Sequence, residues 1–193
     1  NYNRDVTVEG ASTGMLPTIC LLTDGLEEGF LQDKPWDDVE IGWLSILGYE
    51  GYLIDPSDNA EWVPAVDMKT GKLSITESGT ADQYSVSWAA NISNQWYVGL
   101  NLNIPTLSYT KRVSLLETDR INSAELKSMY YVSGLGVSGS VGLIYRPIQA
   151  LRIGASFQTP TMMNLSVQTE GDMYSSIAGQ SYEVLTPASG VMD

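Results

Sequence analysis

The residues best suited to chemistry are carboxylates in pairs: Glu27 with Glu28, Asp37 with Asp38, and Asp55 with Asp58. Two neighbouring carboxylates can divide acid and base roles in glycoside hydrolysis, or bind calcium through their oxygens. Their sequence settings favour other duties. Asp24-Gly25-Leu26-Glu27 has capping-box spacing, with Asp24 accepting from first-turn amides and Glu27 reaching back. Asp37-Asp38-Val39-Glu40 repeats that signal. Asp55-Pro56-Ser57-Asp58-Asn59 lacks the full calcium-loop pattern. The acids therefore read as helix caps and solvated surface. The chain has no histidine, so its own residues cannot build a Ser-His-Asp or Cys-His site. Cys20 is the single cysteine, which leaves no internal disulfide and no zinc spacing. The chain reads as a non-enzyme, with no catalytic residue, metal or cofactor expected.

The 193 residues carry a net charge of −13 and have a pI near 4.2. That balance argues against nucleic acid, whose phosphates require a basic surface. The charge is uneven: residues 1–81 hold 15 acids and 4 bases, and residues 82–193 hold 8 acids and 6 bases. No apolar run reaches the roughly 18 residues of a membrane-spanning helix. Transmembrane barrels escape that test, because their strands alternate and their hydropathy averages out. The chain opens without the basic-apolar-small pattern of a signal peptide.

The elements that must position any site are mostly strands. Tyr84, Val86, Trp88, Ala90 and Ile92 alternate with polar or small residues, as do Trp96, Val98, Leu100, Leu102 and Ile104. Residues 131–161 form the clearest pair of runs, turning around Pro147. One face carries Tyr131, Leu135, Val137, Val141, Leu143 and Tyr145; the other is mostly glycine and serine. Strict period two means strands. Residues 1–9 read as the end of a further strand. Residues 10–82 form a long insertion with two short helices, one carrying Leu26, Phe30 and Leu31, the other Val39, Trp43, Ile46 and Leu47. Pro105 breaks the ladder or forces a bulge. Residues 108–128 read as extended loop, and residues 170–193 as irregular.

Connection lengths alternate in this reading: long (10–82), short (93–95), long (106–128), short (147–150), long again from about residue 160. In an antiparallel meander, alternate connections share an end. Short turns at one end and large loops at the other are the pattern of bacterial outer-membrane barrels. Trp96 and Tyr145 sit beside short turns on the apolar face, where an aromatic girdle belongs. The apolar runs approach the roughly 9–11 residues that cross a membrane when tilted. A soluble β-sandwich or lipocalin-like barrel would alternate too. Its second face would then be a Gly/Ser surface, and residues 83–105 hold no charge at all, unlike the usual covering of a soluble sheet.

The segment YVSGLGVSGSVGLIYRPIQALRIGASFQTPT, with Ile144-Tyr145-Arg146-Pro147, Leu151-Arg152-Ile153-Gly154 and Thr159-Pro160-Thr161, resembles the FadL/TodX-type outer-membrane transport proteins. Ser87-Trp88-Ala89-Ala90-Asn91-Ile92 and Tyr97-Val98-Gly99-Leu100 look like earlier strands of that family. The resemblance implies a 14-stranded barrel plugged by an N-terminal hatch domain, taking up long-chain fatty acids and other hydrophobic compounds. The hatch is absent here, and no ligand residue carries over by motif.

The expected fold is all-β: a partial antiparallel transmembrane meander, an excerpt of a larger barrel, with a helical extracellular insertion. Its parts would be a strand end (1–9), a partly helical loop (10–82), barrel strands with short periplasmic turns (83–169), and an irregular loop (170–193). The expected function is passive uptake of hydrophobic small molecules in the bacterial outer membrane. Its partners would be a fatty acid or similar ligand, outer-membrane lipid, and the missing remainder of the barrel with its hatch. The alternative is a surface-exposed or soluble β-domain binding glycans or proteins through acidic loops. Phe30, Leu31, Trp43 and Leu47 are the candidate ligand-binding residues. They would line a groove that receives the ligand, or else pack helix against helix. Arg146 and Arg152 flank the short turn and face the polar side by parity. They would help gate the exit or pair with acids elsewhere in the barrel.

Overall fold

The computed structural model describes residues 1–12, 14–36, 41–57 and 61–187. Its frame is a long antiparallel meander. Strand β1 (Tyr2–Ala11) precedes the helices α1 (Met15–Thr23), α2 (Glu28–Gln32) and α3 (Trp43–Glu50). A small ladder of β2 (Ile54–Pro56) and β3 (Trp62–Pro64) follows. Then come β4 (Thr70–Ile92), β5 (Trp96–Thr118), β6 (Ser123–Ile148), β7 (Leu151–Gln158), β8 (Met162–Ile177) and β9 (Gln180–Leu185). The large sheet runs β1-β4-β5-β6-β8-β9, with β7 paired to the lower part of β6. All its pairings are antiparallel, and it is open at both sides.

Three stretches expected to be loops are strand. β4 begins at Thr70 and not near residue 83. β5 and β6 continue through residues 108–118 and 123–130, closing in a tight turn at 119–122. β8 runs on to Ile177 and turns at Ala178-Gly179, both with positive φ, into β9. In these stretches Ser, Thr, Lys and Glu replace the large apolar residues, so hydrophobic alternation fades while the backbone ladder persists. The asymmetry of connections is real for the insertion between β1 and β4; elsewhere it is an asymmetry of strand length. At about 3.3 Å per residue, 23-residue strands are roughly twice as long as a membrane crossing demands.

The β4–β5 register is constant over its whole length, from Thr70 opposite Thr118 to Ile92 opposite Trp96. The β5–β6 ladder lapses at residues 104–105, opposite 136–137, and resumes in the same register. Pro105 has no amide to give there, and its Cγ stands 3.1 Å from where a Cβ on Gly136 would be. β7 and β8 are two halves of one strand, both paired with β6. Between them Thr159-Pro160-Thr161 adds one extra residue, a bulge. It is held by the Thr159 amide donating to Gly139 O and the Gly139 amide to Thr159 Oγ1, both at 2.9 Å.

The helices and the β2–β3 ladder sit on the upper half of one sheet face as a cap. Met15, Leu16, Ile19 and Cys20 of α1 pack with Leu31, Ile46, Leu47, Leu53, Ile54 and Trp62, and against Ala124 and Met173 of the sheet. The buried positions of α1 follow i, i+1, i+4, i+5, i+8, a helical stripe that the run of apolar residues hides. Gly48 lets α3 touch α1: a Cβ there would stand 2.5 Å from Ile19 Cγ2. Trp62 closes the cap, its Nε1 donating to Leu26 O at 3.0 Å and its ring meeting Tyr49 edge-on.

The expected capping box at Asp24 does not form. Asp24 ends α1, and its Oδ1 accepts from the Trp62 amide at 2.9 Å. Glu27 precedes α2 without capping it through its side chain. The second proposed box, residues 37–40, lies outside the described residues, as do Asp58 and Asn59. α3 starts only at Trp43, behind Gly42.

Candidate functional site

Constant register turns strand parity into two continuous faces. On the outer face of the lower half, cross-strand rows are apolar throughout. Trp88 lies beside Leu100, Val141 and Phe157; Ala90 beside Val98, Leu143 and Ala155; Ile92 beside Trp96, Tyr145 and Ile153. This belt is bare: Val86 is 69% exposed and Phe157 65%. Its lower rim carries the Trp96–Tyr145 pair, stacked with ring centres 4.2 Å apart.

The inner face of the same half is small and polar. Ser85 and Ser87 donate to Asn103 Oδ1 and Asn101 Oδ1 at 2.7 and 2.8 Å, and Asn101 Nδ2 donates to Asn103 at 2.9 Å. Below this ladder, Ala89, Gly99, Gly142 and Ser156 share a row. The missing side chains leave a shallow groove of about 630 Å³, bounded by Asn91, Tyr97 and Ile144.

Above the row of Tyr84 and Ile104, both faces change character. The outer face becomes polar, first with Asp82, Thr106 and Asn164 around Leu135, then with Thr80, Ser108, Ser133 and Ser166 in the row above. The inner face becomes apolar where the cap covers it, through Leu115, Leu126, Ala124 and Met173. One carboxylate is sealed at this junction. Glu117, fully buried, accepts from Ser12 Oγ at 3.0 Å and from the Met15 amide at the start of α1 at 3.3 Å.

The four candidate ligand residues do not line one groove. Leu31 and Leu47 are 0% and 1% exposed and belong to the core of the cap. Trp43 is half-buried and Phe30 is 57% exposed. The packing reading therefore describes Leu31 and Leu47; of the other two, Phe30 is exposed and Trp43 is partly so. Of the carboxylate pairs, Glu28 accepts from Tyr49 Oη at 2.8 Å and from Gln32 at 3.4 Å. Among the described residues no group of three His, Cys, Asp or Glu is placed to hold a metal ion.

A polar cluster on the inner face escaped sequence reading. Glu77 stands between Arg4 at 3.9 Å and Lys111 at 3.8 Å, and Tyr2 Oη donates to it at 3.2 Å. Burial and the Glu77 charge push the nearby Tyr109 phenol up. These residues come from three strands and are up to 109 positions apart, so only the register brings them together. No protein-family model and no curated protein sequence matches the chain. The geometry is therefore the sole guide to the site.

Proposed function

We propose that the chain forms part of the wall of an outer-membrane channel of the FadL/TodX type, passing hydrophobic small molecules without chemistry. The observation that carries this reading is the outer belt. It spans the rows from Tyr84 to Ile92, about 27 Å along the strand and about 20 Å in height at the usual barrel tilt, near the ~25 Å of a transmembrane apolar band. A soluble sheet buries such a face; here the cap lies on the opposite face and leaves the belt bare.

The remaining features fit the same reading. The polar inner row of Ser and Asn suits a lumen. Arg4 and Lys111 carry one positive charge more than Glu77, which suits a ligand with an acidic head. Among the described residues the lower edges of β4 and β7 have no strand partner, and unpaired amides in hydrocarbon cost several kcal/mol each. Further barrel strands and a hatch domain are thus the partners of this wall.

The test is partition of the 193-residue chain into phospholipid vesicles, read by flotation. The wild type is expected to float with the lipid, and Leu100→Arg at mid-belt to lose about 2–4 kcal/mol of insertion. A chain that stays in the aqueous fraction as a folded monomer would overturn the reading in favour of a soluble β-domain.

A further inference from the structure

The lower end of the inner face carries two cations that the wall itself does not neutralise. Extending the β6–β7 ladder below Tyr145 and Ile153 sets Arg146 opposite Arg152. The register then shifts before Ile148 meets Leu151, so Arg146 and Pro147 together face Arg152. Such a bulge bends its strand and re-aims the side chains. The Arg146 amide donates to Gln95 O at 2.7 Å, which ties the bulge to the turn after β4. Like charges directly across an antiparallel ladder destabilise it. In a chain of net charge −13 an acid should offset them, yet residues 83–116 and 126–169 contain no Asp or Glu. Along the strands the nearest acid is Asp82, ten residues above Ile92. That is about 33 Å away at ~3.3 Å per residue, and on the outer face. Exposed charges are largely screened beyond roughly 8 Å. Among the described residues neither arginine is in an ion pair.

The groove of about 630 Å³ begins one inner row above this pair, at Asn91, Tyr97, Ile144 and Gly154. Its next row, Ala89, Gly99, Gly142 and Ser156, also lines a second hollow of about 390 Å³ that continues it upward. Together they make a trough with mostly apolar walls and no charge. A Cβ on Gly99 or Gly142 would meet nothing within 4 Å, so the packing of this chain does not require glycine at either position. Two guanidinium groups at the end of such a trough match an amphiphile with an oxyanion head. Their planar forks take carboxylate or phosphate oxygens in pairs, and the trough takes the alkyl chain.

We infer that Arg146 and Arg152 form a binding station at the short-turn end of the inner face, holding the oxyanion head of an amphiphile whose chain lies in the trough above. This rests on the channel reading and adds to it a second site, at the end away from the cap. The upper cluster, Arg4 and Lys111 around Glu77, has a surplus of one positive charge. The lower pair has two positive charges and no carboxylate of its own to displace. Between the clusters the inner face is uncharged from Tyr109 down to Tyr97, about 40 Å along the strand. An acid head released from the upper cluster is recaptured at the lower one, head toward the short turns.

The experiment uses the 193-residue chain in vesicles of phosphatidylcholine, a lipid without net charge. Flotation is checked first, and binding is then read by equilibrium dialysis with empty vesicles subtracted. The probes are octanoate, octanol and inorganic phosphate. The wild type is expected to bind octanoate about tenfold more tightly than inorganic phosphate. Arg146→Gln/Arg152→Gln is expected to lose about tenfold in octanoate affinity and to leave octanol binding unchanged. Gly142→Val fills the trough where a side chain has room, and is expected to weaken octanoate binding severalfold while leaving inorganic phosphate unchanged. The two variants act on opposite ends of the site, so either one decides the matter if the other fails to fold. Octanoate binding that survives in the folded variants, or that is no tighter than inorganic phosphate in the wild type, overturns the station and leaves the wall intact. A wild type that does not float with the vesicles overturns the channel reading and the inference with it.

Discussion

Three residues decide more than their neighbours. Glu117 ties the start of α1 to β5 from a fully buried position. Glu117→Ala would leave the Met15 amide and Ser12 hydroxyl without their acceptor, and should cost about 1–3 kcal/mol, measured as a fall in the denaturant midpoint. Gly48 has no room for a methyl beside Ile19, so Gly48→Ala should cost about 1–3 kcal/mol by overpacking, although alanine is the better helix former. Cys20 is 4% exposed, and burial, aided by Asp24 and Asp55, pushes its thiol up to about 11. Its folded pKa thus exceeds the unfolded one. The linked stability is complete below the unfolded pKa and is lost as pH rises through 11. Maleimide labelling at pH 8 should be slow in the folded chain and quick after denaturation; rapid labelling of the folded chain would disprove the burial. That Cys20 has no internal disulfide partner was legible from its being the single cysteine. Glu117 was not, because nothing in its local sequence tells a buried acid from a surface one.

At the scale of elements, legibility followed the amplitude of the hydrophobic alternation. The lower halves of β4, β5 and β6 and all of β7 swing between Trp, Leu or Val and Ser, Asn or Gly, and their strands were readable, with Trp96 and Tyr145 placed beside the short turns on the apolar face; that the two rings stack was not. Their upper halves swing between Thr or Ser and residues such as Ile75, Tyr109 and Val113, and passed for loop. α1 was missed because Pro17 and a contiguous apolar run mask its stripe, although proline in a first turn breaks no bond. The turn after β4 places Ser93 and Asn94 at φ 55 and 54, both left-handed. Ser93→Gly should relieve that conformation and raise stability by about 0.5–1 kcal/mol, seen as a higher unfolding midpoint. An unchanged or lower midpoint would show that the turn is held by the Asn91–Asn94 side-chain bond at 2.8 Å instead.

The whole molecule joins a lower wall with a bare apolar face to a capped upper wall, and its acidity concentrates in the N-terminal portion with the cap. The all-β meander and its helical insertion were foreseeable because period two and helical period separate cleanly along the chain. The candidate site was less so: it depends on which strands neighbour one another, and the Arg4–Glu77–Lys111 cluster has no local signature. Free edges along the lower parts of β4 and β7 make the chain prone to edge-to-edge pairing in water. Light scattering behind a sizing column should show self-association in plain buffer, relieved by detergent. A stable monomer in buffer would contradict the exposed belt.

The exchange of character between the faces halfway up the sheet has a consequence for how such strands can change in length. Because neither face is uniformly apolar, β4, β5, β6 and β8 can be shortened or lengthened at the junction only by even numbers of residues. Removing two from each lowers the cap by about 7 Å and leaves every side chain on its proper side. Removing one from each would turn Leu73 and Ile75 outward and aim Lys72 and Ser74 at the cap, keeping the belt intact below a cap with nothing to sit on. The wall is thus quantised in steps of two, and insertions or deletions found in natural variants of these strands should obey that count.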